Sequence, residues 1–170
     1  LNIWTSWRTI YHNGNTTKGS DGTLKTASPV ARIASFEISS RTDIDEDSFE
    51  WCGCGVANYE ARGIEIIRDD VGVYRVTGAK SLASSGWRLL PPRDPNGSGD
   101  LGVVKAEQID GEIIISLFRR KMVLADGEIV IKPGEPIDVP ANSWIDVRLD
   151  MPEPVILPDS PVEDSQAQPE

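Results

Sequence analysis

Two Asp-Gly pairs, Asp110-Gly111 and Asp126-Gly127, constrain this chain more than any other feature. Each stands between apolar runs, and a two-residue turn of this composition joins antiparallel strands through a type I′ turn, where both residues need positive φ. The run before the first pair is Leu101 to Ile109, with Val103 and Val104. The run between the pairs, Glu112 to Leu124, begins with strict alternation: Ile113, Ile115 and Leu117 on one face, Ile114, Ser116 and Phe118 on the other. Ile129 to Ile131 follows the second pair, and Pro133-Gly134 and Pro136 are expected to break it. Ser143 to Leu149 alternates again. Trp144, Asp146 and Arg148 face one way and Ile145, Val147 and Leu149 the other, which predicts one buried and one wetter face.

Upstream, Val30 to Ile38, Ile64 to Ile67 and Val71 to Val76 read as further strands. Asp69-Asp70 is the expected turn between the last two, and Gly78 ends the third. Phe49, Trp51, Cys52 and Cys54 form an apolar patch, and Gly53 and Gly55 allow a bulge or a close backbone approach there. Short strands separated by turn signals make the chain all-β: a small antiparallel sheet or sandwich domain. The expected division is an extended segment at 1–29, a β domain at 30–151 and a disordered acidic, Pro-rich tail at 152–170.

Composition excludes several functions. The net charge of −10 opposes nucleic acid and anionic membranes. No apolar run approaches the roughly 20 residues of a spanning helix, and no signal peptide is apparent. The chain opens on Leu1 rather than Met, so it reads as a fragment of a longer protein. Cys52 and Cys54 are too close in sequence for an unstrained disulfide and read as buried free thiols, in keeping with a reducing cytoplasm. With one histidine they supply too few ligands for zinc.

No enzyme signature is present. There is no nucleophile elbow and no phosphate-binding Gly-rich loop, and nothing singles out a carboxylate pair for glycoside hydrolysis. The expectation is a non-enzyme without cofactor or resident metal. The acidic run Asp43 to Glu50 reads as a solvated face rather than a calcium site. Asp94 to Asp100 has oxygen side chains at alternate positions and Gly at the sixth, as in a calcium loop. Lys105 occupies the twelfth position, where that loop needs Glu, and a polar turn is the plainer reading.

Two segments carry the binding candidates. A long Gly-, Ser- and Pro-rich loop between Gly78 and Leu101 holds Trp87, Arg88, Arg93, Asp94 and Asn96. Long loops in compact domains are often functional, and Trp and Arg are frequent anchors of binding surfaces. The same Trp87-Arg88-Leu89-Leu90 run also suits a short buried strand, in which case the candidates reduce to Arg93, Asp94 and Asn96. At the start of the chain, Ile3, Trp4 and Trp7 lie in a strand with bulky groups on both faces, which wants cover that a second copy could supply.

The stretches TIYHNGNTT, SDGTLKTASPVARI, FEWCGCGVAN, GVYRVTGAKSLASSGWRLLPPRDPNGSGDLGVV and NSWIDVRLDMP resemble the distal C-terminal region of enterobacterial (lambdoid-type) bacteriophage tail fibre proteins. The resemblance reaches as far as Met151 and supplies no catalytic motif. It implies a parallel homotrimer, with Ile3, Trp4, Trp7, Tyr11 and His12 at the trimer interface. Three copies of His12 near an axis could hold a metal or an anion, although an exposed histidine is the commoner case. The resemblance also implies a virion component made in the host cytoplasm, with a tail-fibre assembly chaperone as an additional partner. Its expected function is attachment to a host-surface receptor, either a glycan such as lipopolysaccharide or an outer-membrane protein. The alternatives are a trimerisation or folding cap without receptor contact and, third, a polysaccharide-degrading tailspike.

Overall fold

The computed structural model describes residues 16–18, 24–46 and 48–153. The expected interface residues Ile3, Trp4, Trp7, Tyr11 and His12 lie outside them, as does the chain from residue 154 onward. Strands β1 (Thr16–Lys18) and β2 (Leu24–Thr26) pair with each other in a small hairpin. The remaining strands are β3 (Val30–Ile33), β4 (Glu50–Trp51), β5 (Gly55–Ala57), β6 (Glu65–Asp70), β7 (Val73–Thr77), β8 (Ser81–Leu82), β9 (Leu89–Leu90), β10 (Val103–Ile109), β11 (Glu112–Ala125), β12 (Glu128–Pro136) and β13 (Ile145–Asp150). One turn of 3-10 helix, Tyr59–Ala61, interrupts this all-β order.

Both Asp-Gly pairs build the turns expected of them. Asp110 and Gly111 have φ of 51° and 84°, and Asp126 and Gly127 have 52° and 81°. Ile109 faces Glu112 across the first turn, and Ala125 faces Glu128 across the second.

A five-stranded sheet runs in the order β10-β11-β7-β6, with β12 on the far half of β11. A six-stranded sheet runs β4-β5-β3-β13-β8, with β9 also on β13. The two pack face to face. Ile66, Tyr74, Val76, Ile113, Ile115 and Leu117 from the first meet Ala31, Ile33, Ile145, Val147 and Leu149 from the second in one buried cluster. The alternation in β11 and β13 dictates this, since every second residue of each points inward. A smaller cluster of Ala34, Ile44 and Val56 sits beneath Phe49, Trp51 and Trp144.

Three local expectations are corrected. Asp69 and Asp70 belong to β6, and the turn falls on Val71-Gly72. Gly72 has φ of 66°, and a Cβ there would stand 2.5 Å from the Ile137 carbonyl oxygen, so only glycine fits. The Val30–Ile38 run ends as a strand at Ile33, and Phe36 and Ile38 are exposed. Pro133-Gly134 does not stop β12. The register shifts by one residue opposite Phe118 and Arg120, and the strand continues to Pro136. An edge position tolerates this, because a proline lacking an N–H can sit where no neighbour needs one.

Gly53 makes the close approach its sequence allows. A Cβ on it would lie 2.2 Å from the Ile66 carbonyl oxygen. Cys52 and Cys54 are free and half-buried, and burial pushes the Cys52 thiol up to about 11, so it stays protonated at neutral pH.

A polar clasp, not evident in the sequence, ties the β12–β13 connection to the first sheet. Arg68 donates to both carboxylate oxygens of Asp138 at 2.9 Å. The Gly72 amide and the Tyr74 hydroxyl donate to the same carboxylate. The Val139 amide in turn donates to the Tyr74 oxygen at 3.0 Å. The Arg68 hydrogen bonds hold the Asp138 pKa down at about 2, while burial pushes the Tyr74 phenol up to about 12.

Candidate binding cleft

The pairing of β3 with β13 creates the site. Their inward residues enter the core, so their outward residues, Val30, Arg32, Asp146 and Arg148, line the opposite face. Arg32 stands directly across from Asp146, and Leu90 of β9 flanks Asp146 on the other side. Around this floor lies a cleft of about 610 Å³. Its walls include Phe49, the Asn58–Glu60 turn and Trp87.

Each wall has a cause in local structure. The Asn58 side chain accepts from the Val30 and Ala61 amides and donates to the Ser28 carbonyl oxygen. It thereby caps the 3-10 turn and fixes that turn against β3. The turn leaves Tyr59 54% exposed, with the Arg62 guanidinium stacked 4.2 Å from its ring centre. The Trp87 ring stands at the cleft with 39% of its surface open.

Arg32 is the most constrained residue of the floor. Its guanidinium lies 3.9 Å from the Phe49 ring centre and 4.9 Å from that of Trp144. One terminal nitrogen donates to the Ile44 carbonyl oxygen at 2.7 Å. Its buried Nε has no hydrogen-bond partner and lies 3.8 Å from the Asp146 carboxylate. Asp146 accepts from the Trp144 indole at 3.1 Å. Burial raises its pKa, and Arg32 and the indole pull it back. At the wall, Glu60 Oε1 is also buried with no hydrogen-bond partner. Buried polar atoms normally find partners, and Arg32 Nε meets the Asp146 carboxylate only as an ion pair, which leaves the floor of the cleft charged but internally paired.

The five residues expected to bind are not brought together. Trp87 reaches the cleft, whereas Arg93, Asp94 and Asn96 do not line it. Arg88 is exposed, and its carbonyl oxygen accepts from the Arg148 amide. Leu89 and Leu90 do form a short strand, but it is not a buried one: Leu90 is 41% exposed, and Trp87 just before it stays exposed as well. Arg93 pairs with Asp100 at 3.4 Å across the neck of a small loop. Inside that loop the Asp94 carboxylate accepts from the Asn96 amide and side chain and from the Ser98 amide, which lowers its pKa. That carboxylate is occupied in shaping its own turn. No cluster of three acidic, histidine or cysteine ligands occurs among the described residues.

Arg32, Asn58, Tyr59 and Glu60 were missed by sequence reasoning. The one signal available was the polar face of β13, which held Asp146. Nothing local marks Arg32, 114 positions earlier, as its neighbour.

Residues 15–153 match the family model for the phage tail protein C-terminal domain, and the chain belongs to that family. It is also 31% identical over 163 residues to a probable tail fiber protein of Escherichia phage T1, covering 88% of this chain and 20% of that protein. The chain thus spans about a fifth of the length of the curated relative it matches. No solved structure matches it. The protein is a C-terminal region of a phage tail fibre and so a component of the virion tail.

Proposed function

We propose that this domain is the host-contacting tip of its fibre and that the cleft on the six-stranded sheet receives a surface glycan, such as that of lipopolysaccharide. The supporting observation is the composition of the cleft. Exposed faces of Tyr59 and Trp87 border a cleft that is also lined by the Arg32 guanidinium and the carboxylates of Asp146 and Glu60. A sugar ring presents that same pairing of an apolar face with hydroxyls that both donate and accept. Single contacts of this kind are weak, because each hydroxyl trades a water for a protein partner. A parallel homotrimer, with several fibres per particle, multiplies them by raising the effective concentration of the second and third contacts. The domain acts by binding, without hydrolysis.

The test is competition for adsorption. The purified chain is expected to block phage attachment to host cells. Tyr59→Ala and Trp87→Ala are each expected to raise the half-blocking concentration at least tenfold, the worth of about 1.4 kcal/mol. Arg93→Ala, on the separate loop, is expected to change it less than twofold. Failure of the intact oligomer to block attachment would favour the cap reading. Blocking that persists on cells stripped of surface glycan would move the receptor to an outer-membrane protein. Release of oligosaccharide would mark a tailspike.

A further inference from the structure

One side of the β11–β12 hairpin reverses the charge of the chain. The sequence holds 17 basic residues against 27 acidic ones, yet Arg119-Arg120-Lys121 is an unbroken run of three cations. Lys121 stands directly across from Lys132 in the ladder, so both side chains leave one face. Arg119, two residues from Lys121 on β11, shares that face. Arg120 lies on the other and donates to the Asp100 carbonyl oxygen at 3.0 Å. Arg119, Lys121 and Lys132 are exposed, and none has an ion pair or a side-chain hydrogen bond among the described residues. Beside them β12 bulges at Gly134. A Cβ there would stand 2.9 Å from the Arg119 carbonyl oxygen and 3.6 Å from Lys121 Cβ, so the missing side chain keeps the ground between them open.

We infer that Arg119, Lys121 and Lys132 form a phosphate-binding site, and that it engages the phosphate groups of the host's surface glycolipid. The proposal rests on the reading of this domain as the host-contacting tip and adds a contact outside the cleft. Like charges directly opposite each other destabilise a strand pair. Guarding a sheet edge does not require that cost, because a Lys–Glu pair would guard it and attract as well. An anion held between the two lysines turns the repulsion into attraction. The count of cations selects the anion. A phosphate carries close to two negative charges and three acceptor oxygens, and arginine meets it with two parallel hydrogen bonds while lysine meets it as a point charge. A carboxylate, with one charge and two oxygens, would leave part of the cluster unmatched. The spacing suits one phosphate: opposite Cβ atoms lie roughly 5 Å apart, and Arg119 is roughly 7 Å along the strand from Lys121. The setting favours a surface. A chain of net charge −10 is repelled by a polyanionic cell envelope and can touch it only where the local sign is reversed. Glu128, on the same face, is four residues from Lys132, roughly 14 Å at 3.4 Å per residue, and salt confines a charge's reach to about 8 Å. Glu135, in the bulge, is exposed and pairs with none of the three cations.

Binding of the whole chain to vesicles of host lipopolysaccharide, intact or chemically stripped of phosphate, tests the site. The unaltered protein is expected to bind intact vesicles at least tenfold more tightly than stripped ones. Lys121→Gln/Lys132→Gln is expected to abolish that ratio, while Lys80→Gln/Lys105→Gln, an equal loss of charge elsewhere, keeps it within twofold. Should the first variant not fold, Lys132→Gln alone is expected to reduce the ratio at least threefold. Trp87→Ala, in the cleft, is expected to weaken binding to both kinds of vesicle and to leave the ratio unchanged. A ratio near one for the unaltered chain would overturn the proposal, while adsorption blocking still tests the cleft. A ratio lost in Trp87→Ala but kept in the lysine variant would place phosphate in the cleft and overturn it too. Equal affinity for phosphatidylglycerol vesicles would reduce the site to a general response to anionic lipid and refute the glycolipid assignment. A lysine-dependent ratio in a chain that fails to block adsorption would uphold the phosphate site and remove the reading of the cleft.

Discussion

One strand, β11, has two lives. In its first half Ile113, Ile115 and Leu117 are wholly buried between two sheets. In its second half Met122 and Leu124 are about three-quarters exposed. The second half also carries Arg119, Arg120 and Lys121, yet Met122 and Leu124 are as apolar as the buried residues, so the apolar character of a residue does not by itself decide whether it is core. Position decides it: the first half lies between β10 and β7, while the second has only β12 beside it. One half is buried in the core of the domain, and the other stays exposed on the hairpin.

Three substitutions would break or sharpen that contrast. The largest effect is expected at Ile115→Ala, which opens a cavity between the sheets and should cost about 2–5 kcal/mol in a denaturant melt. A loss no greater than at an exposed site would refute the sandwich packing. Next is the Asp138 clasp, which anchors the chain after β12. Asp138→Ala should cost roughly 1–2 kcal/mol near neutral pH, a value discounted because the carboxylate is partly exposed. Its pH dependence has a definite sign. The folded pKa is depressed to about 2 from an ordinary value of 3.8, so the contribution is fully present above about pH 4 and is lost as pH falls toward 2. The stability difference between parent and variant should narrow over that window, and a constant difference would sink the assignment. The smallest effect is expected at Leu124→Ser, measured on dissociated chain, where it should stay within about 0.5 kcal/mol. A large loss there would mean the hairpin packs on its own domain after all.

Legibility followed the range of the interaction. Asp-Gly turns were readable because positive φ at two successive residues is a local demand that few pairs meet. The buried face of β13 was readable because side chains alternate strictly along a strand. The Val71-Gly72 turn was misplaced, because Asp69-Asp70 also has turn chemistry. What excludes any side chain at Gly72 is the backbone of Ile137 and Leu117, contributed from far along the chain. Trp87 stood out in the sequence by type, but its neighbours in the cleft were not its neighbours in sequence.

Local patterning thus settled the class of structure, most strand positions and two hairpins, because these depend on φ preferences and a two-residue period. Which apolar residues are sheltered and which stay exposed was settled only when the sheets stacked, since burial belongs to a pair of surfaces and not to a residue. The same holds for the cleft. Arg32 and Asp146 come to line one cleft only when antiparallel pairing sets them side by side, beside a turn that Asn58 clamps in place.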